Sequence, residues 1–265
     1  MKKEKDILAI DDEQVVVDAI LKILGNENFS VDTATNSSEA LAKINSNKYN
    51  LIICDIMMPD ADGFEILNQV QKIAAFVPII MSSGYSTIEN AVRSLYEGAV
   101  DFIPKPFTAD ELISSVKRAL KYSSLIKLNS EFENQKNLFF VSCPSKYRRL
   151  GYSTWSFTER DGTAILGMTD IFIKSLEQIV EIIFPEGIEE VIQANSCLQI
   201  KTADGLLHDV LSPISGRVVE KNFELIHHKE ILEKDPYFKG WVYRIIPTDY
   251  EYESKNLIPC SSDRC

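Results

Sequence analysis

Positive charge is scarce in this sequence. Its 265 residues include 28 Lys and Arg against 39 Asp and Glu, and the formal net charge at pH 7 is −11. Such an acidic average surface repels phosphate backbones and anionic lipids, so a role on nucleic acid would require a local basic patch. The sequence shows no basic patch, and we therefore expect no nucleic-acid partner and no membrane partner.

Closely spaced cysteines and long apolar runs are also missing. The five cysteines are odd in number, and no two of them have the CxxC spacing of a zinc site or a redox pair. No apolar run is long enough for a signal peptide or for a helix that spans a bilayer. These absences predict a cytoplasmic protein in a reducing compartment.

Short apolar runs alternate with amphipathic stretches up to about residue 122. This alternation predicts βαβ units, and hence an α/β domain with a doubly wound, five-stranded parallel sheet. We assign the strands to residues 7–10, 29–34, 51–54, 77–82 and 101–103. The first helix is expected to bury Val16, Ile20, Ile23 and Leu24. The last helix begins with a capping box, in which Thr108 and Glu111 satisfy each other's backbone N–H groups.

After residue 122 the composition changes twice. Residues 123–142 are rich in Ser, Asn, Lys and Glu, which predicts a linker whose first part continues the last helix. Residues 143–255 contain short β-rich runs with one helix expected near residues 171–179, and residues 256–265 are expected to form a flexible tail. Turns are predicted at Asp161-Gly162, Asp204-Gly205 and Ser215-Gly216. The second domain should be mostly β, with a sandwich or barrel-like architecture.

Three carboxylates follow two strands of the predicted sheet. Asp11 and Asp12 come directly after the first strand, and Asp55 comes directly after the third. These strands are neighbours in a doubly wound sheet, so the repulsion among their carboxylates calls for a hard divalent cation with oxygen ligands, which indicates Mg²⁺. The metal would offset charge during in-line phosphoryl transfer to a carboxylate, and Asp55 is the natural nucleophile.

Each of these residues has an ordinary structural explanation when it is taken alone. Asp after a strand commonly caps a helix, and Asp62-Gly63 commonly forms a turn. The combination with Ser83 and Lys105, at the ends of two further strands, favours a phosphoryl-binding pocket over these separate explanations.

Residues 5–122 resemble the response-regulator receiver family, which has a flavodoxin-like fold. The matching segments are Asp11-Asp12-Glu13, Asp55-Ile-Met-Met-Pro59-Asp-Ala-Asp62-Gly63, Ser83, and Phe102-Ile-Pro-Lys105-Pro106. The resemblance implies that Asp55 is the phosphoacceptor and binds Mg²⁺ directly together with Asp12. It also implies that the Met57 backbone carbonyl completes the protein ligands and that Asp11 binds the metal through water.

The same resemblance assigns roles to three further residues. Lys105, before a cis proline, would pair with a phosphoryl oxygen, and the Ser83 hydroxyl would close onto another oxygen after phosphorylation. Phe102 would then act as a switch that changes between a buried and an exposed rotamer. The bulky Met57 and Tyr85 beside the pocket suggest slow hydrolysis of the phosphorylated form.

Residues 152–250 resemble the glycine-cleavage H-protein family, a β-sandwich that carries lipoate. The matching segments are Tyr152-Ser-Thr-Trp155, Leu166-Gly-Met-Thr-Asp170, Ser212-Pro-Ile-Ser-Gly216 and Asp235-Pro-Tyr-Phe-Lys-Gly-Trp241. The family's lipoyl lysine falls on Gly205 here, so no cofactor is expected on this domain, which is interpreted as a binding scaffold. We expect His208, His227 and His228 to be surface or loop residues, because they lack metal-binding spacing.

Our leading hypothesis is a two-component response regulator with a protein-binding output domain. A histidine kinase or phosphotransfer protein would supply the phosphoryl group, an unknown downstream protein would receive the signal, and phosphorylation could drive homodimer formation through residues 88–120. Two alternatives stay open: a lipoyl carrier modified on Lys201, and a DNA-binding transcription regulator, which the acidic charge disfavours. None of these hypotheses makes the chain an enzyme beyond its own phosphorylation and dephosphorylation.

Overall fold

The chain divides into two compact units in its computed structural model. The structure describes residues 4–74, 76–85, 87–132 and 140–261. One unit contains Met1–Asn90 and Glu97–Lys127, and the other contains Ala91–Tyr96 and Leu128–Cys265. Residues 133–139 of the predicted linker and residues 262–265 of the predicted tail lie outside the described residues. The predicted domain limits at residues 122 and 143 stay predictions.

A parallel sheet forms the centre of the first unit. In its described part the sheet has five strands in the order β2-β1-β3-β4-β5, and every neighbouring pair is parallel. The strands are β1 Glu4–Ile10, β2 Val31–Ala34, β3 Lys48–Asp55, β4 Ile79–Ser83 and β5 Asp101–Pro104. The predicted α/β, doubly wound architecture is therefore confirmed, and the first and third strands are neighbours as expected.

Helices flank this sheet, and four of them begin next to a residue whose side chain caps the helix. The helices are α1 Gln14–Asn26, α2 Ser37–Ser46, α3 Gly63–Ile73, α4 Ile88–Tyr96 and α5 Ala109–Phe132. The predicted capping box is present: the Thr108 N–H donates to Glu111 Oε2 at 2.7 Å, and the Glu111 N–H donates to Thr108 Oγ1 at 3.2 Å. Because α5 continues to Phe132, the start of the predicted linker is helical.

The core of the first unit follows the apolar pattern closely. Residues Ile7 to Ile10 of β1 are all buried, as expected for a strand that is covered on both faces. Helix α1 buries Val17, Ile20 and Leu24, whereas Val16 and Ile23 are only half-buried. Two of the four residues predicted on this face are thus buried, and the other two lie at the edge of the apolar stripe, where side chains remain partly exposed.

The second unit is antiparallel and mostly β. Its described residues form a seven-stranded sheet in the order β10-β13-β14-β8-β7-β6-β15 and a three-stranded sheet in the order β12-β11-β9. The strands are β6 Arg148–Leu150, β7 Thr154–Thr158, β8 Ala164–Met168, β9 Ile179–Ile183, β10 Glu190–Val191, β11 Ser196–Thr202, β12 Leu207–Leu211, β13 Gly216–Lys221, β14 Trp241–Pro247 and β15 Ile258–Pro259. The short helices are α6 Asp170–Ser175, α7 Glu224–His227, α8 Glu230–Lys234 and α9 Tyr250–Glu253, with a 3₁₀ turn at Ser254–Asn256.

Two of the three predicted glycine turns are present in this unit. Gly162 and Gly205 have φ angles of 86° and 85°, and they lie in the β7–β8 and β11–β12 connections. Gly216 is instead the first residue of β13, where a Cβ atom would lie 2.5 Å from the Ile246 carbonyl oxygen. The prediction of a turn at Ser215-Gly216 was therefore wrong, because glycine serves there for close strand approach. The predicted helix over 171–179 ends at Ser175, and β9 begins at Ile179.

An aromatic cluster fills one part of the core of the second unit. Trp155, Tyr147 and Tyr237 pack together with the buried thiols of Cys143 and Cys260. The Trp155 Nε1–H donates to the Met168 carbonyl at 2.9 Å, so the indole satisfies its polar atom while it is buried. Among the helices in the described ranges, none is both long and apolar enough to cross a membrane.

We predict that Thr108→Ala lowers the free energy of unfolding by about 1 kcal/mol, because it removes the hydroxyl that caps α5. Thr108→Ser keeps this acceptor and should remain near wild type. Urea unfolding curves of the three full-length proteins test the prediction, and equal curves for Thr108→Ala and wild type would contradict it.

Candidate functional site

The carboxyl ends of three strands bring the predicted site residues to one edge of the sheet. Asp55 is the last residue of β3, and Asp11 follows β1, whose Ile10 pairs with Cys54. This register places the two aspartates side by side. Lys105 directly follows β5, and its peptide bond to Pro106 is cis. The sheet therefore gathers groups that lie far apart in the sequence.

Lys105 joins the two aspartates through a pair of ion contacts. Its Nζ atom lies 2.6 Å from Asp11 Oδ2 and 2.6 Å from Asp55 Oδ1. Both carboxylates are buried, and the Lys105 side chain is only 9% exposed. A third carboxylate, that of Glu13, lies 3.9 Å from the ammonium group and is mostly solvent-exposed. The contacts form a buried centre of alternating charge.

Burial and ion pairing act in opposite directions on these groups. Burial raises the pKa of Asp11 and of Asp55, while hydrogen bonding and charge attraction from Lys105 oppose the rise. For Lys105, burial favours the neutral amine, yet the hydrogen bonds to Asp11 and Asp55 raise its pKa overall. The ammonium group is consequently a fixed positive charge at the site.

The backbone after Asp55 is tightly ordered around the carboxylate. The Met57 N–H donates to Asp55 Oδ2 at 2.8 Å, and the Gly63 N–H donates to the Ile56 carbonyl at 2.9 Å. Gly63 is required for this close approach, because a Cβ atom there would lie 2.1 Å from the Asp55 carbonyl oxygen. Asp62 caps α3 through the Phe64 N–H at 3.0 Å. Asp62-Gly63 therefore has a packing role that a turn prediction alone would miss.

Ser83 and Phe102 lie on the two strands beyond β3. Ser83 ends β4 and is fully buried, and its hydroxyl accepts the Tyr85 N–H at 3.1 Å. Its carbonyl accepts the Lys105 N–H at 2.9 Å, so Ser83 also fixes the backbone of the lysine. Phe102 is half-buried and packs against the core, while Met57 and Tyr85 are exposed. The switch role of Phe102 remains a prediction.

Of the three predicted carboxylate ligands, Asp11 and Asp55 are buried, whereas Asp12 lies at the surface. It is exposed, although its charge is close enough to contribute, after burial, to the raised pKa of Asp55. In the parts of the chain that the structure describes, no three His, Cys, Asp or Glu side chains are close enough to hold a metal ion. Direct binding of Mg²⁺ by Asp12 therefore stays a prediction.

The chemistry of the donor groups nevertheless suits a divalent cation. When ionised, Asp11, Asp12 and Asp55 supply three negative charges, and Lys105 supplies one positive charge, 2.6 Å from Asp11 and 2.6 Å from Asp55. Two negative charges are left, and the available donors are hard oxygens of the kind that Mg²⁺ prefers. The residues thus fit magnesium in charge and in donor type.

Cys54 adjoins the candidate nucleophile but has a packing role. It is fully buried, and its Sγ lies 3.3 Å from the Asp55 carbonyl oxygen. Burial, followed by the Asp55 charge, raises the pKa of its thiol far above the ordinary value. The thiolate that redox or nucleophilic chemistry would need is therefore strongly disfavoured.

Two family models match the chain, and together they cover most of it. The response regulator receiver domain model matches residues 7–117, which contain the charged centre described above. The glycine cleavage H-protein model matches residues 146–262. Residues 7–117 thus form a response regulator receiver domain. The second half of the chain is a glycine cleavage H-protein domain, so the fusion that the two resemblances suggest is confirmed.

Bacterial regulatory proteins are among the relatives found by sequence. The nitrogen assimilation regulatory protein NtrX of Azorhizobium caulinodans is 38% identical over 135 residues, which are 50% of this chain and 29% of that protein. The transcriptional regulatory protein DltR of Streptococcus agalactiae is 35% identical over 123 residues, which are 46% of this chain and 55% of that protein. This chain thus spans from 29% to 55% of the length of these relatives.

Solved receiver domains match the first half of the response regulator. A CheY-like receiver domain protein from Methanospirillum hungatei is 35% identical, with 47% of this chain and 98% of that chain covered and a TM-score of 0.43. The receiver domain of NtrX from Brucella abortus is 40% identical, with 43% and 98% covered and a TM-score of 0.42.

Gly205, where the resemblance predicts the position of the family's lipoyl lysine, lies in a hairpin of the H-protein domain. Gly205 lies between β11 and β12, and its N–H donates to the Thr202 carbonyl at 2.9 Å. Lys201 is exposed within β11, where it pairs with Glu181 and Leu207 of the flanking strands. The side chain of Lys201 therefore leaves from a strand and not from the hairpin turn.

One histidine of the H-protein domain differs from its prediction. His208 is buried in β12, and its Nε2 atom lies 3.1 Å from Thr202 Oγ1. The Thr202 hydroxyl also contacts Asp204 Oδ1 at 2.6 Å, so the polar groups beneath the hairpin bond to one another. The prediction of a surface His208 was wrong, because the alternation along β12 turns this residue inward. His227 and His228 are exposed as expected.

We predict that Gly63→Ala lowers the free energy of unfolding by about 1–3 kcal/mol, because the new methyl group would collide with the Asp55 backbone. Gly25→Ala is the matched control, since no atom lies within 4 Å of a Cβ at that position. Thermal unfolding compares the two variants with wild type. Equal stability of Gly63→Ala and Gly25→Ala would show that the close approach is unimportant.

Proposed function

We propose that Asp55 of this response regulator accepts a phosphoryl group and that its phosphorylation controls protein binding by the H-protein domain. The observation that carries the proposal is the Lys105 ammonium, which lies 2.6 Å from a buried oxygen of Asp55 and 2.6 Å from one of Asp11. A carboxylate beside a fixed positive charge, at the ligand-binding edge of a doubly wound sheet, is placed to attack phosphorus.

The reaction transfers one phosphoryl group from a donor to Asp55. A carboxylate oxygen of Asp55 forms a bond to phosphorus while the bond from phosphorus to the imidazole nitrogen of a phosphohistidine breaks. The imidazole leaves with the electron pair and is protonated from solvent. Receiver domains receive their phosphoryl groups from histidine kinases, and such a kinase or a phosphotransfer protein is the expected donor. Attack of water on phosphorus later releases phosphate and restores the carboxylate.

Magnesium would be held by Asp12, Asp55 and the Met57 carbonyl, with Asp11 binding through water, and it would offset the charge of the phosphoryl oxygens. The second positive charge at the site is the ammonium group of Lys105. Lys105 now contacts Asp55 Oδ1 at 2.6 Å, and from the same place its ammonium can bind a phosphoryl oxygen.

Ser83 and Phe102 would respond to the negative charge of the phosphoryl group and thereby change the surface of the receiver domain. The Ser83 hydroxyl, which accepts the Tyr85 N–H at 3.1 Å, can rotate to donate a hydrogen bond to a phosphoryl oxygen. Its carbonyl is tied to the Lys105 N–H at 2.9 Å, so this end of β4 is linked to the end of β5 that carries Phe102. We expect the resulting surface to bind a downstream protein or a second copy of the chain.

The H-protein domain would act as a binding scaffold and not as a lipoyl carrier. The β11–β12 hairpin has a tight turn, in which Gly205 has a φ angle of 85°. Glycine, however, has no side-chain amine to which lipoate could be attached. A carrier role would require modification of Lys201, whose side chain projects from the middle strand of a three-stranded sheet in the described residues.

A transcriptional role is a second candidate, because two relatives carry such a role in their names. DltR of Streptococcus agalactiae and ResD of Bacillus subtilis are transcriptional regulatory proteins, and each matches about half of this chain. The net charge of −11 argues against a large phosphate-binding surface. A salt-sensitive shift of random double-stranded DNA by the phosphorylated protein would favour the transcriptional role over the protein-binding one.

We predict that wild type incubated with a small acyl phosphate and Mg²⁺ gains the mass of one phosphoryl group, whereas Asp55→Asn gains none. Lys105→Gln should react at least tenfold more slowly, because it loses the fixed charge at the site. Intact mass spectrometry over time gives both results. A mass gain in Asp55→Asn equal to that of wild type would reject the proposal.

We predict that the chain carries no lipoyl group when it is produced in a host that lipoylates its own proteins. Intact mass measures this directly, and lipoate added to Lys201 would instead establish the carrier role. Lys201→Arg is the matched control, since it keeps the charge and removes the modifiable amine.

A further inference from the structure

The loop between β3 and α3 carries backbone groups that contact the phosphoacceptor. At the base of the loop, the Met57 N–H donates to Asp55 Oδ2 at 2.8 Å, and Met57 forms an isolated β-bridge with Asp62. The Gly63 N–H closes the base through the Ile56 carbonyl at 2.9 Å. The position of the loop therefore sets the orientation of the Asp55 carboxylate and of the Met57 carbonyl.

The tip of the same loop is attached to the start of α2. Asp60 Oδ2 accepts the Ser37 N–H at 2.8 Å and the Ser37 hydroxyl at 2.6 Å. Ser37 is the first residue of α2, and the preceding Asn36 caps the helix by accepting the Glu39 N–H at 2.9 Å. One carboxylate oxygen thus joins the loop to a helix that follows another strand, 23 residues earlier in the chain.

We infer that Asp60 is a positioning residue for phosphorylation: its two hydrogen bonds to Ser37 hold the loop whose Met57 backbone orients Asp55 and would bind Mg²⁺. The inference rests on the proposed function of Asp55. Asp60 itself is exposed and belongs to the outer part of the loop, so it acts through the backbone of its neighbours and not on the phosphoryl group.

The size of the effect follows from what the attachment restrains. Hydrogen bonds to a charged carboxylate oxygen are stronger than those between neutral groups, but exposure to water reduces their net contribution to the stability of the loop. Without the two hydrogen bonds to Ser37, the loop backbone samples more conformations. Binding of Mg²⁺ by the Met57 carbonyl would then have to order the loop, which weakens the affinity. We expect about a fivefold weaker Mg²⁺ affinity and about a fivefold slower phosphorylation, the change that follows the loss of one such hydrogen bond.

Variants on both sides of the contact can separate positioning from simple helix stability. Asp60→Ala removes the acceptor, while Ser37→Pro removes both donors at a helix position that accepts proline. The residue before a proline must be extended, and Asn36 already has φ −157° and ψ 163°. The double variant completes a cycle, in which the second substitution should add nothing to the first.

Asn36→Ala is the matched control. It removes the cap of α2 and leaves both Asp60 contacts in place, so it should lower the midpoint of thermal unfolding by about 2–4 °C. Its Mg²⁺ affinity and its phosphorylation rate should stay at the wild-type values. Asp60→Asn keeps an acceptor oxygen and should recover part of the loss seen in Asp60→Ala.

The experiment measures Mg²⁺ affinity by calorimetry on the full chain and phosphorylation by a small acyl phosphate through intact mass. Equal losses in Asp60→Ala, Ser37→Pro and the double variant, with Asn36→Ala unchanged, support the inference. Wild-type affinity and rate in Asp60→Ala, or a loss in Asp60→Ala that Ser37→Pro does not share, would overturn it. Absence of any phosphorylation in wild type would instead reject the proposed function, while the Mg²⁺ affinities would still test the attachment.

Discussion

The arrangement of the receiver domain depends on one ammonium group between two buried carboxylates. Two carboxylates buried side by side repel each other, and each also loses the solvation it had in water, so neither could be charged there without a nearby cation. Lys105 meets this need with contacts of 2.6 Å to both Asp11 and Asp55. The strands that end at these residues must therefore stop at the same edge of the sheet. In the proposed function, the same positive charge would bind a phosphoryl oxygen after transfer to Asp55.

Much of the receiver fold could be predicted, because its strands are apolar runs and its last helix begins at a recognisable cap. The Thr108 and Glu111 box is an example, since its two hydrogen bonds are local in sequence. Helix faces were predicted less well: Val17 is buried where Val16 was expected. Periodicity locates a stripe on a helix, but the neighbouring elements decide which edge of the stripe is covered.

Contacts between segments that are distant in the sequence could not be predicted from local sequence patterns. Nothing local indicates that Asp60 bonds to Ser37, which lies 23 residues earlier, or that Gly63 faces the Asp55 carbonyl. In the H-protein domain, His208 and Gly216 were misjudged for the same reason, because burial and close approach come from neighbouring strands. Gly205 was easier, because a turn dipeptide signals its own backbone geometry.

The most direct test of the central claim is to locate the phosphoryl group chemically. An acyl phosphate on an aspartate is reduced by borohydride, which converts that residue to homoserine, and peptide mass mapping then identifies the position. The charged centre around Lys105 predicts homoserine at Asp55 in the phosphorylated protein. Homoserine at another aspartate, or a phosphoryl group that resists borohydride because it is carried by serine or histidine, would contradict the account.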